Sequence, residues 1–466
     1  EDIFHKILQQ ITSDLDVLCQ ELVQKRIRKN QQEIRKNNYF EFIIKALILG
    51  LLLFLLVLVM TVQDLHKLFL ECNTVSIDTR KIEKDNMFFA LKGDNFDANS
   101  FAEEALSKGA KYVVIDNSDY NVNDRTILVD NTLTMLQKLA AYHRDYLKLP
   151  IIALTGSNGK TTTKELIQVV LAKKYNTKAT KGNLNNHIGV PLTLLSFNTK
   201  TEIGIVEMGA NHQKEIEFLC EIAKPDYGYI TNFGKAHLEG FGGIEGVIKG
   251  KSEMYTYLSL NQKAAFVNLD DEIQNSKTLQ INRITFSQIN NESDLFIDNV
   301  TANPFVTIKA LQTTINSHLI GLYNANNINA ALAIGNYFKI QIADCKAAIE
   351  SYIPENNRSQ LITKATNEII LDAYNANPSS MKVALDNFIQ LDKENKLIII
   401  GDMYELGNES LSEHKAIVDF LSKNSEFDCH FLGKDFYANA ISKETFHFYE
   451  SFDAFSKQFD FLNCKE

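Results

Sequence analysis

Leu154-Thr155-Gly156-Ser157-Asn158-Gly159-Lys160-Thr161-Thr162 is the stretch from which the rest of the chain can be read. Pro150 is followed by an apolar run at 151–154 that reads as a buried strand, and helical spacing runs through 163–173. A glycine loop between a strand and a helix turns backbone N–H groups toward phosphate oxygens, and the helix N-terminus adds its partial positive charge. Thr155, Gly156, Ser157, Asn158, Gly159, Lys160, Thr161 and Thr162 are therefore a candidate ATP-phosphate loop. Lys160 is spaced to reach the β- and γ-phosphates, and the Thr161 hydroxyl to ligate Mg2+. The eight-residue P-loop pattern wants glycine where Leu154 stands, so only the shorter T-G-x-x-G-K-T form is met.

The same alternation extends outward. Before the loop, strands are expected at 87–91, 112–115 and 126–129, with helices at 102–108 and 134–146. After it, strands are expected at 203–207, 227–232 and 264–268. Past Pro354 the rhythm restarts, with strands at 368–372 and 396–401 and helices at 381–391 and 414–422. It predicts an α/β chain of parallel sheets with crossover helices. At 466 residues the chain exceeds one ordinary core. Three modules are expected, at 60–148, 149–353 and 354–466. Glu207 ends an apolar strand, where a carboxylate faces the ligand edge of such a sheet. His237 follows the strand before it in Asn232-Phe233-Gly234-Lys235-Ala236-His237. Taken alone, these two read more readily as a solvated strand-end glutamate and a loop histidine.

Composition narrows the class. Hydrophobic residues make up 45% and charged residues 23%, which is ordinary for a globular protein. A net charge of −10 argues against nucleic acid as the main partner, because a phosphate backbone requires basic surface. The six cysteines are scattered without a C-x-x-C pair, which suits buried thiols in a reducing compartment rather than zinc or a disulfide scaffold.

The first sixty residues carry a different pattern. Apolar positions at helical spacing predict an amphipathic helix over 3–23. Lys25, Arg26, Arg28, Lys29, Arg35 and Lys36 follow, and then an apolar run over 42–62 broken only by Lys45, Gly50 and Thr61. About 20 apolar residues cross a bilayer core of roughly 30 Å, so a membrane span is expected. The basic flank would keep 1–41 cytosolic and send the remainder across, against the use of ATP. The expectation that reconciles the two is a natural start at Met60, with 1–59 an appended segment. A tether that leaves the enzyme cytoplasmic is the alternative.

Further motifs appear in a fixed order. The first module carries Ser76-Ile77-Asp78-Thr79-Arg80 and Leu91-Lys92-Gly93-Asp94-Asn95-Phe96-Asp97. The second carries Gly182-Asn183-Leu184-Asn185-Asn186-His187, Val206-Glu207-Met208-Gly209-Ala210-Asn211, Ala236-His237-Leu238-Glu239-Gly240 and Lys249-Gly250-Lys251-Ser252. Val267-Asn268-Leu269-Asp270 and Gly321-Leu322-Tyr323-Asn324-Ala325-Asn326-Asn327 come next. The third holds Asn357-Arg358-Ser359-Gln360, Asp372-Ala373-Tyr374-Asn375-Ala376-Asn377-Pro378-Ser379-Ser380 and Gly401-Asp402-Met403-Tyr404-Glu405-Leu406-Gly407. Over 60–466 this series resembles the Mur ligases.

The resemblance implies a three-module architecture with a central P-loop ATPase-like parallel sheet and a Rossmann-like C-terminal module. It implies ATP-dependent amide ligation through an acyl phosphate. The Asp-x-Tyr-Asn-Ala-Asn-Pro block is the pattern of the member that joins D-alanyl-D-alanine to UDP-N-acetylmuramoyl-tripeptide in peptidoglycan synthesis. The resemblance assigns Lys160, Glu207, His237 and Lys251 to catalysis, with Thr161, Glu207, His237 and Lys251, as a carbamate, around Mg2+. Asn268, Asn324, Asn327, Arg358 and Asp372 join the ATP side. Ser76, Asp78, Thr79, Arg80, Lys92, Gly93, Asp97, Asn183 and Asn186 would bind the UDP substrate, and Tyr374, Asn375, Asn377 and Ser380 the dipeptide. A monomeric cytoplasmic enzyme is expected. The family's turn is usually Asp-Gly-His where Asp97-Ala98-Asn99 stands, and its further strand and closing helix are not matched before Glu466, so a clipped third module is expected. The rival readings are a folylpolyglutamate-type ligase sharing the ATP core and a tethered, impaired nucleotide-binding relative.

Overall fold

The computed structural model describes residues 60–355, 357–364 and 366–459, together with residue 45. The amphipathic helix and basic stretch expected before residue 42 lie outside the described residues, as does nearly all of the apolar run at 42–62. Among the described residues no helix is long and apolar enough to cross a membrane. Residues Glu1–Thr61 and Val62–Glu466 are separate units, and the described sheets all belong to the second.

Helix α1 (Val62–Leu70) leads into a four-stranded parallel sheet of β1 (Val75–Ser76), β2 (Met87–Phe89), β3 (Tyr112–Ile115) and β4 (Thr126–Leu128). Helix α2 (Thr132–Leu147) follows, its N-terminus capped by the Asn131 side chain, which accepts from the Thr134 amide.

The next sheet has nine strands. Its strands are β5 (Ile151–Thr155), β6 (Thr177–Ala179), β7 (Ile203–Glu207), β8 (Tyr227–Ile230), β9 (Ala264–Asn268), β10 (Asn282–Ser287), β11 (Leu295–Ala302), β12 (Phe305–Ala310) and β13 (Thr313–Ile320). The order is β13-β12-β11-β10-β9-β8-β5-β7-β6. Every residue of β5 is buried, which is why the run at 151–154 is continuously apolar rather than alternating. Each such aliphatic side chain contributes about 1.5–3 kcal/mol on burial. Because β5 sits between β8 and β7, the chain leaves it at a switch of strand order, and there the carboxyl ends of the strands frame a crevice. Helix α3 (Lys160–Leu171) starts in that crevice, helix α4 (Ile244–Leu260) precedes β9, and helix α5 (Ala325–Tyr337) packs on α3.

The third group holds a hairpin of β14 (Gln360–Lys364) and β15 (Asn367–Leu371), helix α6 (Pro378–Gln390), β16 (Leu397–Gly401), helix α7 (Ser410–Asn424), β17 (Asp428–Leu432), β18 (Phe446–Tyr449) and helix α8 (Phe452–Gln458). Strands β16, β17 and β18 form a parallel sheet. One apolar cluster joins this group to the central sheet's helices, with Leu238, Phe241 and Val247 packed among Met381, Leu385, Met403 and Ile417.

Three expectations are corrected. The central sheet is not parallel throughout, since β12 pairs antiparallel with both β11 and β13. Its turns are too short for a crossover; Leu311 and Gln312, both at left-handed φ (48° and 60°), close the second as a hairpin. The strand expected at 368–372 belongs to the β14–β15 hairpin rather than to a crossover unit. The helix expected from 163 starts at Lys160, because Gly159 at φ 78° turns the chain straight into it.

Candidate active site

The phosphate loop is held from the adjoining strand end. Ser157 N–H donates to Asn232 O (3.1 Å), and Ser157 Oγ donates to Gly234 O (2.7 Å). Asn158 N–H donates to Asn232 Oδ1 (3.0 Å), while Thr231 Oγ1 donates to Asn158 O (2.6 Å). Gly156 must be glycine: at φ 146°, a Cβ there would fall 1.9 Å from Thr231 Oγ1. Lys160 folds back over its own loop, donating to Gly156 O (2.7 Å) and Ser157 O (3.2 Å). Burial pushes its pKa down, against the attraction of Glu207.

Glu207 lies at the end of β7 and is 2% exposed. Its Oε1 accepts from Asn185 Nδ2 (2.9 Å) and Thr161 Oγ1 (3.4 Å). Its Oε2 has no hydrogen-bond partner among the described residues, and the Lys164 ammonium stands 4.0 Å away. A buried carboxylate oxygen left unsatisfied beside a threonine hydroxyl suits a cation, since such an oxygen otherwise bears its desolvation penalty uncompensated.

Lys251 on α4 is 1% exposed and has no hydrogen-bond or ion-pair partner among the described residues; its Nζ stands 5.3 Å from the centre of the Phe241 ring. Burial, then the Lys160 charge, drive its pKa well below the ordinary lysine value. Among the described residues no three His, Cys, Asp or Glu side chains gather into a ready-made metal cluster. His237, in the left-handed region at φ 54°, gives its Nδ1 to the Glu405 carboxylate of the third group. Burial lowers its pKa, Glu405 works against that, and the Lys160 and Lys251 charges add to it.

These elements border one cleft of about 790 Å³. Of the sequence-predicted residues it gathers Ser157, Asn158, Gly159, Lys160, Thr161, Thr162, Asn186, Glu207, His237, Asn324, Asn327, Arg358, Asp372, Tyr374, Asn375, Asn377 and Ser380. Arg358 stacks its guanidinium 3.8 Å from the centre of the Tyr374 ring. Burial raises the Asp372 pKa, opposed by a Ser359 amide hydrogen bond and the Arg358 charge. Asn327 accepts from Thr163 Oγ1 (3.0 Å) and donates to Asn324 Oδ1 (2.8 Å), so this pair braces the loop helix.

Other predicted residues stand elsewhere. Thr155, Gly156 and Lys251 do not line the cleft. Asn183 and Asn268 do not line the cleft, and Asn268 caps the turn after β9 by accepting from the Asp270 amide (3.1 Å). Ser76, Asp78, Thr79, Arg80, Lys92, Gly93 and Asp97 belong to the first sheet and its connections and do not border the cleft. There Arg80 donates Nε (2.9 Å) and Nη2 (2.8 Å) to Asp78, whose pKa those bonds lower to about 2. Lys92 pairs with Asp116 (3.0 Å). Asn99, where the family's turn usually has histidine, is fully buried and bonds Asp97 and Asp116. Sequence reasoning missed Asn185, Asn232, Tyr323, Ser359 and Ser379. Asn185 lay inside a motif already singled out, and a second asparagine beside Asn186 was its only signal.

Models of three Mur ligase domains match in sequence: the Mur ligase family catalytic domain at 71–144, the middle domain at 154–335 and the glutamate ligase domain at 357–454. The UDP-N-acetylmuramoyl-tripeptide–D-alanyl-D-alanine ligase of Bacillus subtilis is 37% identical over 345 residues, 73% of this chain and 76% of that one. The chain belongs to the Mur ligase family. The Escherichia coli enzyme of the same name is 34% identical, over 73% of this chain and 77% of its own. Among solved structures, Acinetobacter baumannii MurF superposes with a TM-score of 0.74 at 28% identity, covering 84% of this chain and 89% of its own. Thermotoga maritima MurF in complex with ADP does so with 0.71 at 26% identity, over 82% and 88%.

Proposed function

We infer that this Mur ligase uses ATP to join D-alanyl-D-alanine to UDP-N-acetylmuramoyl-tripeptide, giving the UDP-muramoyl-pentapeptide precursor of peptidoglycan. The observation that carries the reading is the cleft, in which the phosphate loop and the Asp372-Ala373-Tyr374-Asn375-Ala376-Asn377-Pro378 block face each other. Relatives bearing that name match most of the chain. The module assignments 60–148 for the UDP substrate, 149–353 for ATP and 354–466 for the dipeptide follow from the same reading. ATP and a nucleotide-linked sugar as substrates point to work in the cytoplasm.

The tripeptide's terminal carboxylate attacks the γ-phosphorus and ADP leaves. Lys160 and the amides at the start of α3 offset charge on the transferring group, since positioning and electrostatics dominate such transfers. Mg2+ bound by Glu207, Thr161, His237 and a Lys251 carbamate would supply further charge neutralisation. The dipeptide amine then adds to the acyl carbon, and inorganic phosphate departs as the amide forms. The third group, docked over the loop, excludes water from the acyl phosphate.

The test is phosphate release by the full chain with Mg·ATP, UDP-muramoyl tripeptide and D-alanyl-D-alanine, each omitted in turn. Release that needs all three, with pentapeptide found by mass, is expected. ATP binding without amide product from this pair would overturn the reading.

A further inference from the structure

Asn158 sits in the middle of the phosphate loop, and its side chain is committed to a residue of the third group. Its Oδ1 accepts from Asn377 Nδ2 (2.7 Å), and its Nδ2 donates to Asn377 Oδ1 (3.4 Å). This is a reciprocal amide pair across 219 residues of sequence, from the nucleotide loop to the N-cap of α6. Asn377 is 6% exposed, and its Oδ1 also accepts the Ser380 amide (2.9 Å) in a capping box, so its oxygen is committed to this contact and to its own helix.

The same helix end is seated a second time. Lys235 N–H donates to Ser379 Oγ (2.7 Å). Gly234 permits the approach, since a Cβ there would stand 3.0 Å from Ser379 Cβ and 3.2 Å from Asn158 Nδ2. Meanwhile Thr231 and Asn232 grip the Asn158 backbone, so its amide cannot follow α6 without moving the loop.

We propose that the Asn158–Asn377 amide pair is a latch that makes docking of the dipeptide-side module depend on the conformation of the nucleotide loop. Both asparagines act in this contact as positioning residues. The latch rests on the proposed ligase function and adds a consequence to it. When the latch fails, the cleft opens while the acyl phosphate exists. Water then takes the amine's place at the acyl carbon, returning the tripeptide carboxylate, inorganic phosphate and a proton.

Asn158→Ser and Asn377→Ser test it in the full chain; serine at 377 keeps an N-cap oxygen but falls short of Asn158. With wild type, phosphate released per amide formed is expected to be about one, as the acyl-phosphate route requires. Each variant should raise that ratio severalfold and raise KM for D-alanyl-D-alanine more than KM for ATP. The double variant should be no worse than the poorer single one, as for residues acting through one contact. A ratio that stays at one, or losses that multiply in the double variant, would overturn the latch. Hydrogen exchange at the Lys235 amide reads docking without turnover: both variants should speed it while α5 keeps its protection. Unchanged exchange at Lys235 sinks the latch even if the substrates were misassigned. Wild type that docks normally yet makes no amide sinks the functional reading alone.

Discussion

The central module and the first module hold their cations in opposite ways. Lys160 curls onto carbonyl oxygens of its own loop, and Lys251 is buried without a partner among the described residues; burial depresses both pKa values. Arg80 and Lys92 stand in or near solvent, each already answered by a carboxylate, Asp78 or Asp116. Lys160, a withdrawn cation without a carboxylate partner, is prepared for an incoming anion, because no ion pair must break and little water screens it, whereas Lys251 as a carbamate would serve a cation instead. An exposed, paired cation must exchange one partner for another, and the net gain is small. Chemistry should therefore depend steeply on the first pair and only mildly on the second.

The steepest dependence is on Lys160. Lys160→Met should cut ligation by at least about 10³-fold, the scale of a lost transition-state charge contact. Rapid-quench measurement of acyl-phosphate formation would check it. A loss below tenfold would break the comparison at its stronger end. Lys251→Ala should cost about 10²-fold, with partial recovery in added formate or acetate, whose carboxylate replaces the missing carbamate. Labelled CO2 should give a carbamate carbon signal in wild type that the variant lacks. Arg80→Ala and Lys92→Ala should each raise KM for the UDP substrate by only about three- to tenfold, and leave KM for ATP unchanged, as befits exposed charge contacts. Losses there as large as at Lys160 would mean the Asp pairs open before substrate binds.

The contrast also explains what was legible in the sequence. The loop 155–162, Glu207 and His237 could be placed because strand ends in a parallel sheet converge on one edge, so order along the chain becomes position in space. The paired state of Arg80 and Lys92 could not be read. Asp78 is two residues from Arg80, but Asp116 reaches Lys92 only through the packing of β2 against β3. Asn377 shows the same limit. Its motif announced a functional block, while its partner Asn158 is fixed by docking between modules that no local pattern encodes. The antiparallel end of the central sheet was hidden for a different reason: strand periodicity does not state strand direction, and only the short turns do.

The smallest predicted effect extends the rule to neutral bases. His66 on α1 and His143 on α2 are 3% and 2% exposed, with His66 Nε2 3.0 Å from His143 Nδ1. His143 Nε2 lies 3.1 Å from Phe197 O, so it must donate there; its Nδ1 then accepts, and His66 Nε2–H donates. Protonating both rings would set two donors face to face. Burial, then the His143 charge, lower the His66 pKa from 6.5 to about 4, and burial lowers that of His143. With the folded-state pKa below the unfolded value, the unfolded chain binds more protons between pH 6.5 and about 4. The pair's contribution to stability is complete above pH 6.5 and is lost as pH falls toward 4. The thermal midpoint should drop by a few degrees across that window, beyond the loss common to all carboxylates. His143→Gln keeps a donor for Phe197 O and an acceptor for His66 but cannot be protonated, so it should flatten that part of the acid slope. A slope identical to wild type would show that these two rings, unlike Lys160 and Lys251, carry no penalty for charge.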